Sequence, residues 1–224
     1  MARAGWSTSN ILRCSFAVVT APPATLVCWA KTPNLGIGRR LISIGNSASS
    51  NSLNNLVLAV QAGNVVLAQS GDGSTATAVG TSTTITTNTW FHAAAVFGAV
   101  NDRRAFLNGG GKNTDTTSRT PTGINRTSIG AGDQTTISAP FDGDIAEAAV
   151  WNIALSDAEV LALSKGLSPL LMHPEALVAY WPLIGNNSPE NNLRSNSATM
   201  SIVGSLSKSV HPPIFMPKRR KLIL

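Results

Sequence analysis

Residues 141–166 read FDGDIAEAAVWNIALSDAEVLALSKG, a β-strand pattern that stops abruptly in a short helix. Residues 145–151 are apolar and small, and Ser156 and Glu159 then stand at S-x-x-E spacing. In that capping box the hydroxyl and the carboxylate each satisfy an orphan amide of the first helical turn. Leu155 and Val160 are placed to close a hydrophobic staple across it. Val160, Leu161 and Leu163 give the helix an apolar side, and Lys165 suits the negative end of its dipole. Gly166 can take the left-handed conformation that ends a helix, and Pro169 prevents it from resuming.

Upstream, the pattern is one of short apolar runs separated by turn signals. Strands are expected at residues 11–19, 25–30, 40–45, 56–61, 65–69, 83–86, 90–100, 103–107, 127–131, 141–151, 177–182 and 199–203. Ala62-Gly63-Asn64 and Asn101-Asp102 read as tight hairpin turns. Phe91, Ala93, Ala95 and Phe97 alternate with His92, Ala94 and Val96, so both faces of that strand are mostly apolar and it should be central. The Ser/Thr/Gly-rich stretches 71–84 and 109–123 read as rim loops.

These residues resemble the laminin-G-like branch of the concanavalin A-like lectin/glucanase superfamily. The closing pattern F-x-G-x-I-x-E-x-x-V-W-N-x-A-L-S-x-x-E-V carries the resemblance. So do Trp90-Phe91-His92-Ala93-Ala94-Ala95-Val96, Arg104-Ala105-Phe106-Leu107-Asn108-Gly109, Ser128-Ile129-Gly130, Leu26-Val27-Cys28-Trp29-Ala30 and Leu41-Ile42-Ser43-Ile44-Gly45. The resemblance implies an all-β fold, a jelly-roll sandwich of two antiparallel sheets with one short helix. It leaves activity open, because this fold hosts lectins, adhesins, glycosidases and purely structural domains. Leu177-Val178-Ala179-Tyr180-Trp181-Pro182-Leu183 is similar to the strand that normally opens such domains, here placed near the end as in a circular permutation. The pattern S-P-L-L followed by L-V-A-Y-W-P-L is also similar to bacteriophage virion components.

The chain has 224 residues, enough for one sandwich with appendages. Its pI near 9.9 would suggest a polyanion binder if the charge were spread over the domain. Yet Lys208, Lys218, Arg219, Arg220 and Lys221 hold five of the 17 basic residues, leaving 12 basic against 11 acidic in the body. A nearly neutral body argues against a nucleic-acid groove, which needs a clustered basic face. Met1 to Trp6 lead into polar residues with no apolar signal core, so synthesis in a cytoplasm is expected. Arg13 and the Pro22-Pro23 pair exclude a membrane-spanning helix over 11–30. Cys14 and Cys28 are then expected as buried thiols rather than a disulfide.

Asp142-Gly143-Asp144-Ile145-Ala146-Glu147 is the sharpest catalytic candidate, since it resembles the E-x-D-x-x-E strand of the superfamily's retaining glucanases. Two carboxyl groups about 5 Å apart are what that mechanism needs. Against it stand the Asp in first position, the lack of an aromatic run to line a cleft, and alternation that turns Glu147 away from Asp142 and Asp144 unless a bulge intervenes. The expectation is therefore no enzyme: Glu147 structural, Asp142 and Asp144 solvated. Calcium, bound by many relatives, would draw on Asp133, Asp142 and Asp144, but no D-x-D-x-D-G loop is present. No other cofactor is implied. His92 is expected as a hydrogen-bonded core residue, His173 and His211 each precede a proline without partners in sequence, and Trp29, Trp90, Trp151 and Trp181 read as core.

The resulting expectation is a sandwich over residues 1–207 and an extended arm over 208–224. Pro212, Pro213 and Pro217 bar regular structure in the arm. Ile214, Phe215, Leu222, Ile223 and Leu224 supply apolar anchors, and Lys218, Arg219, Arg220 and Lys221 a basic cluster for docking on another subunit. The function expected is non-enzymatic: a bacteriophage virion accessory protein (capsid decoration, fibre or tail) that forms homo-oligomers with other virion subunits and binds host surface glycan. No nucleic acid and no membrane insertion enter this reading. The alternatives are a secreted carbohydrate-binding module and a glycoside hydrolase.

Overall fold

The structure is a computed structural model that describes residues 1–49, 53–185, 187–195 and 197–212. The arm residues Ile214 to Leu224 lie outside the described residues. In chain order the strands are β1 (Ala2–Ala4), β2 (Ile11–Cys14), β3 (Ala24–Lys31), β4 (Arg39–Gly45), β5 (Asn54–Gln61), β6 (Val65–Asp72), β7 (Ala76–Gly80), β8 (Phe91–Ala99) and β9 (Asp102–Leu107). They continue with β10 (Gly110–Asp115), β11 (Arg126–Ile129), β12 (Gly132–Asp133), β13 (Ile137–Ser138), β14 (Asp144–Trp151), β15 (Leu177–Trp181), β16 (Ser201–Val203) and β17 (Ser207–Ser209). Helix α1 spans Asp157–Ser164, and a 3-10 turn spans Pro169–Leu171.

Two antiparallel sheets face each other, as the jelly-roll reading requires. The first runs β10-β9-β8-β3-β14-β1-β17, with β15 also on β14; the second runs β16-β2-β11-β4-β5-β6-β7. Alternation decides which side chains fill the space between them. Leu26, Cys28 and Ala30 of β3 and Phe91, Ala93, Ala95 and Phe97 of β8 enter the main core with Leu56, Leu58 and Val60 of β5. The opposite residues Val27, Ala94, Val96 and Phe106 meet Leu155, Val160 and Leu163 in a second core under α1. β8 is thus central and covered on both faces, and each buried Leu or Val under the helix contributes about 1.5–3 kcal/mol.

The helix forms as its local signals dictate. Ser156 Oγ accepts from the Glu159 amide while the Ser156 amide donates to Glu159 Oε2 at 2.7 Å. At the other end Gly166 takes φ 93°, its amide reaching Leu163 O at 3.0 Å and that of Leu167 reaching Ala162 O at 3.2 Å, a Schellman motif. Gly143, the glycine of the F-x-G pattern, lies so close to the Lys31 carbonyl that a Cβ would collide with it.

The edges depart from expectation. No strand forms at 83–86; instead β6 continues to Asp72 and pairs with β7 inside the stretch read as a loop. β10 likewise lies inside 109–123 as an edge strand with most of its residues exposed. An edge strand facing water needs no apolar alternation, so its composition matches that of a loop. β2 stops at Cys14 instead of 19, as the following residues bend toward the Pro22-Pro23 pair.

The C-terminal strands complete both sheets beside the N-terminal ones. β15 lies on Ala148 to Trp151 of β14, next to β1, which pairs at Ile145; β16 pairs with β2. Trp181, Leu183 and Met200 are fully buried in the main core. β17 pairs with β1, Lys208 opposite Arg3, so the sheet crosses the expected boundary at residue 207 and ends at Ser209. The open backbone edge of β1 draws these three residues into the sheet.

Candidate binding site

The outer faces of the two sheets differ in what covers them. That of the first sheet is closed over much of its area by α1 and the turn after it. On the second, Val57, Ala59 and Leu67 point away from the main core and form a small cluster of their own, because they alternate with Leu56, Leu58, Val66 and Ala68. Over them the segment Gly36-Ile37-Gly38 rises with Ile37 58% exposed, leaving a trough of about 490 Å³. That volume lies within the ~300–1,000 Å³ typical of small-ligand sites. Val57, Ala59 and Leu67 make an apolar floor, and Arg39, Arg40, Gln61 and Gln69 bring polar heads to the walls.

The polar heads are positioned by neighbours. Gln69 Nε2 donates to Asn55 Oδ1 at 3.1 Å, and Arg40 Nη1 to Ser43 Oγ at 3.3 Å. The Arg40 guanidinium and its Cδ pack on Gly132 of the small β12–β13 hairpin, where a Cβ would strike them. Burial lowers the Arg40 pKa to about 10. Arg39 Nη1 donates to Pro140 O at 3.2 Å, and its Nη2 stands 3.9 Å from Asp142. The trough was not anticipated from sequence. The signals available were an Arg pair opening a strand and an exposed Ile between two glycines.

The carboxylates singled out by sequence are dispersed. Asp133 sits between Arg13, at 2.8 Å, and Arg126, at 3.4 Å. Asp142 accepts from Asn34, and Asp144 pairs with Lys31 at 2.7 Å and is buried rather than solvated. The three calcium candidates therefore each face a donor or cation, and among the described residues no group of three metal-ligating side chains converges. Asp144 is drawn inward because it lies opposite Lys31 in the β14–β3 register, and that ion pair offsets its lost hydration.

Glu147 occupies a bulge that the strand pattern does not reveal. The register between β14 and β3 shifts between Ala146 and Ala149, and Glu147 takes φ 55°. Its amide donates to Pro182 O at 3.1 Å. One carboxylate oxygen accepts from Tyr180 Oη, and the other lies 2.8 Å from His211 Nε2. Burial first, and then the Glu147 charge, push the Tyr180 pKa far above its ordinary value. Glu147 is thus buried and bonded on both oxygens, a structural arrangement.

His92 is buried, and burial depresses its pKa to about 3, so the ring is neutral at physiological pH. Among the described residues its Nδ1 has no hydrogen-bond partner; an edge contact with Trp29, centroids 5.5 Å apart, holds the ring instead. Trp151 and Trp181 are core residues, their indoles donating to Met172 O at 2.7 Å and Ala198 O at 2.8 Å. Trp29 and Trp90 stay half-buried on the outer face of the first sheet, with Lys31 5.5 Å over the Trp90 ring. Trp29 projects from an outward position of β3 at the C-terminal margin of α1, beside Leu163 and Gly166, and Trp90 stands just before β8. His173 has partners that sequence did not show: Glu159 at 2.5 Å and Glu175 at 3.1 Å, which raise its pKa. Cys14 and Cys28 are buried free thiols, and burial raises the pKa of both.

The fold and its open trough define a lectin-like jelly-roll domain. A laminin-G-type family model, described as the concanavalin A-like lectin/glucanases superfamily, matches residues 8–161, and the chain belongs to that superfamily. Among solved structures it is similar to the CBM40 domain of the Ruminococcus gnavus IT-sialidase bound to α2,3-sialyllactose. That match has 21% identity over 65% of this chain and 84% of the other, with a TM-score of 0.57. Domain 4 of an extracellular arabinanase from Geobacillus stearothermophilus, in complex with arabinotriose, has 19% identity over 68% of this chain and 71% of the other, with a TM-score of 0.54. A heptameric SAP-like pentraxin from Limulus polyphemus has 15% identity over 73% and 85%, with a TM-score of 0.51. At these identities the likeness is one of fold. Among curated proteins none matches the sequence.

Proposed function

We propose that this domain is a glycan-binding module that holds an oligosaccharide in the trough on the second sheet without cleaving it. The observation that carries the reading is the trough itself, an apolar floor with amide and guanidinium walls on a sheet face that no helix covers among the described residues. Sugars present C–H faces and a ring of hydroxyls, and such a lining matches both. The fold relatives whose ligands are oligosaccharides support the same reading. That Asp142, Asp144 and Glu147 are each engaged by different partners supports a reading without turnover. This reading stands ahead of a virion accessory role, in which the same module would attach a particle to host glycan and the arm would dock on a neighbouring subunit.

Titration calorimetry against a panel of oligosaccharides tests it. Binding is expected for part of the panel, with each sugar recovered intact, and Ala59→Phe, which fills the trough, should remove binding while the melting temperature is kept. Binding undiminished by Ala59→Phe in a folded variant, or no binding across the panel, overturns it.

A further inference from the structure

We propose that an apolar patch at the C-terminal margin of α1 is the docking surface for this chain's own arm, with Ile214 and Phe215 laid against Trp29 and Leu167. Trp29 is half-buried on the outer face of the first sheet, and it lines a small cleft together with Leu167 and Pro169. Leu170 and Leu171 follow Pro169 in the same 3-10 turn. Leu167, Leu170 and Leu171 are 36%, 40% and 60% exposed. Apolar side chains exposed singly need no explanation, but a group of them beside a half-open indole marks a contact surface.

The course of the chain says what covers it. β17 pairs with β1 at the edge of the first sheet, after which His211 Nε2 comes within 2.8 Å of Glu147 and Pro212 is buried. Glu147 lines the same cleft as Trp29 and Leu167. Pro212, the last described residue, therefore already stands beside the patch. Three more residues carry the backbone about 10 Å, to Phe215. Residues 213–217 read PIFMP, large apolar side chains between two prolines. Proline fixes φ and favours an extended course, so little backbone freedom is lost on docking. Extended, proline-flanked segments also pack well on surfaces that offer an aromatic ring. A second copy could present the same residues, but the tether at His211 and Pro212 sets the local concentration of the chain's own arm at roughly millimolar, above that of any neighbour in dilute solution.

Disulfide trapping in the full chain tests the contact. Cys14 and Cys28 are buried and stay out of the reaction. Leu167→Cys combined with Ile214→Cys or with Phe215→Cys should close an intrachain disulfide under mild oxidation in at least one of the two pairs, read by peptide mapping of the monomer. Ile37→Cys, exposed on the opposite sheet, should not close with either arm cysteine. Phe215→Ser should uncover the patch and raise the binding of a hydrophobic dye about twofold while the melt stays cooperative. Disulfide-linked dimers in place of the intrachain bond would assign the patch to a second copy and overturn the proposal. Closure at Ile37 as readily as at Leu167, no closure at Leu167 with either arm cysteine, or dye binding unchanged by Phe215→Ser would overturn it as well.

Discussion

Removing one oxygen atom, in Tyr180→Phe, isolates the contribution of the buried group around Glu147. Tyr180 is 1% exposed and Glu147 3%, so water cannot replace the lost hydroxyl without opening the packing of β15 on β14. The variant keeps the ring in its cluster with Trp151 and Leu177, and deletes only the bond to one Glu147 oxygen. A hydrogen bond to a charged group is worth about 1.5–3 kcal/mol, and a buried acceptor left without its donor loses a similar amount. His211 still holds the other oxygen, so the expected destabilisation is about 2 kcal/mol. At roughly 2–4 °C per kcal/mol for a protein of this size, the melting temperature should fall by about 4–8 °C. Urea unfolding followed by circular dichroism measures the change. The double mutant Tyr180→Phe/Glu147→Gln should cost about 1 kcal/mol less than the two single variants together. A Tyr180→Phe protein as stable as the parent, or single variants that add without coupling, would refute the structural role given to Glu147. Glycan binding should persist in every member of the cycle, since the trough lies on the other sheet.

Truncation after Gly166 removes Trp181, Leu183 and Met200 from the main core, and should give insoluble or molten protein; a soluble fragment with a cooperative melt would contradict the placement of β15 and β16. Ser156→Ala should lower stability by about 1 kcal/mol through loss of the N-cap, read as a fall of a few degrees in melting temperature. His173 has a folded pKa raised above its unfolded value of about 6.5 by Glu159 and Glu175. Its contribution is then fully present below that unfolded value and lost as pH rises through the folded pKa. His173→Gln should accordingly narrow the difference in melting temperature between acidic and alkaline buffer, and an unchanged pH profile would count against the pairing.

How much of the molecule was legible depended on how local the cause was. The helix could be read residue by residue because Ser156, Glu159 and Gly166 act within one turn of themselves. β8 could be placed at the centre of a sheet because Phe91, Ala93, Ala95 and Phe97 alternate with His92, Ala94 and Val96, all of them needing cover. The edge strands β7 and β10 could not be told from loops, since a strand beside water has no burial to record in its composition. Trp29 and Trp90 read as core because they sit inside strand patterns, and the structure leaves both half-buried, Trp29 at the point where the cover of α1 ends.

By itself the sequence determined the all-β class, the alternating inner faces, the capped helix and the near-neutral body with its basic tail, because each follows from side-chain period or from charge count. Only the tertiary structure decided the bulge at Glu147, where β1 and β15 divide one edge of β14 and Tyr180 and His211 meet its carboxylate from distant parts of the chain. The trough was decided at the same level. Arg39 and Arg40 border the apolar patch of Val57, Ala59 and Leu67 only because β4, β5 and β6 are neighbours in one sheet, and among the described residues no helix covers that sheet's outer face because α1 packs on the other sheet. Pairing register and layer order are properties of contacts between segments far apart in sequence, so no local pattern could carry them.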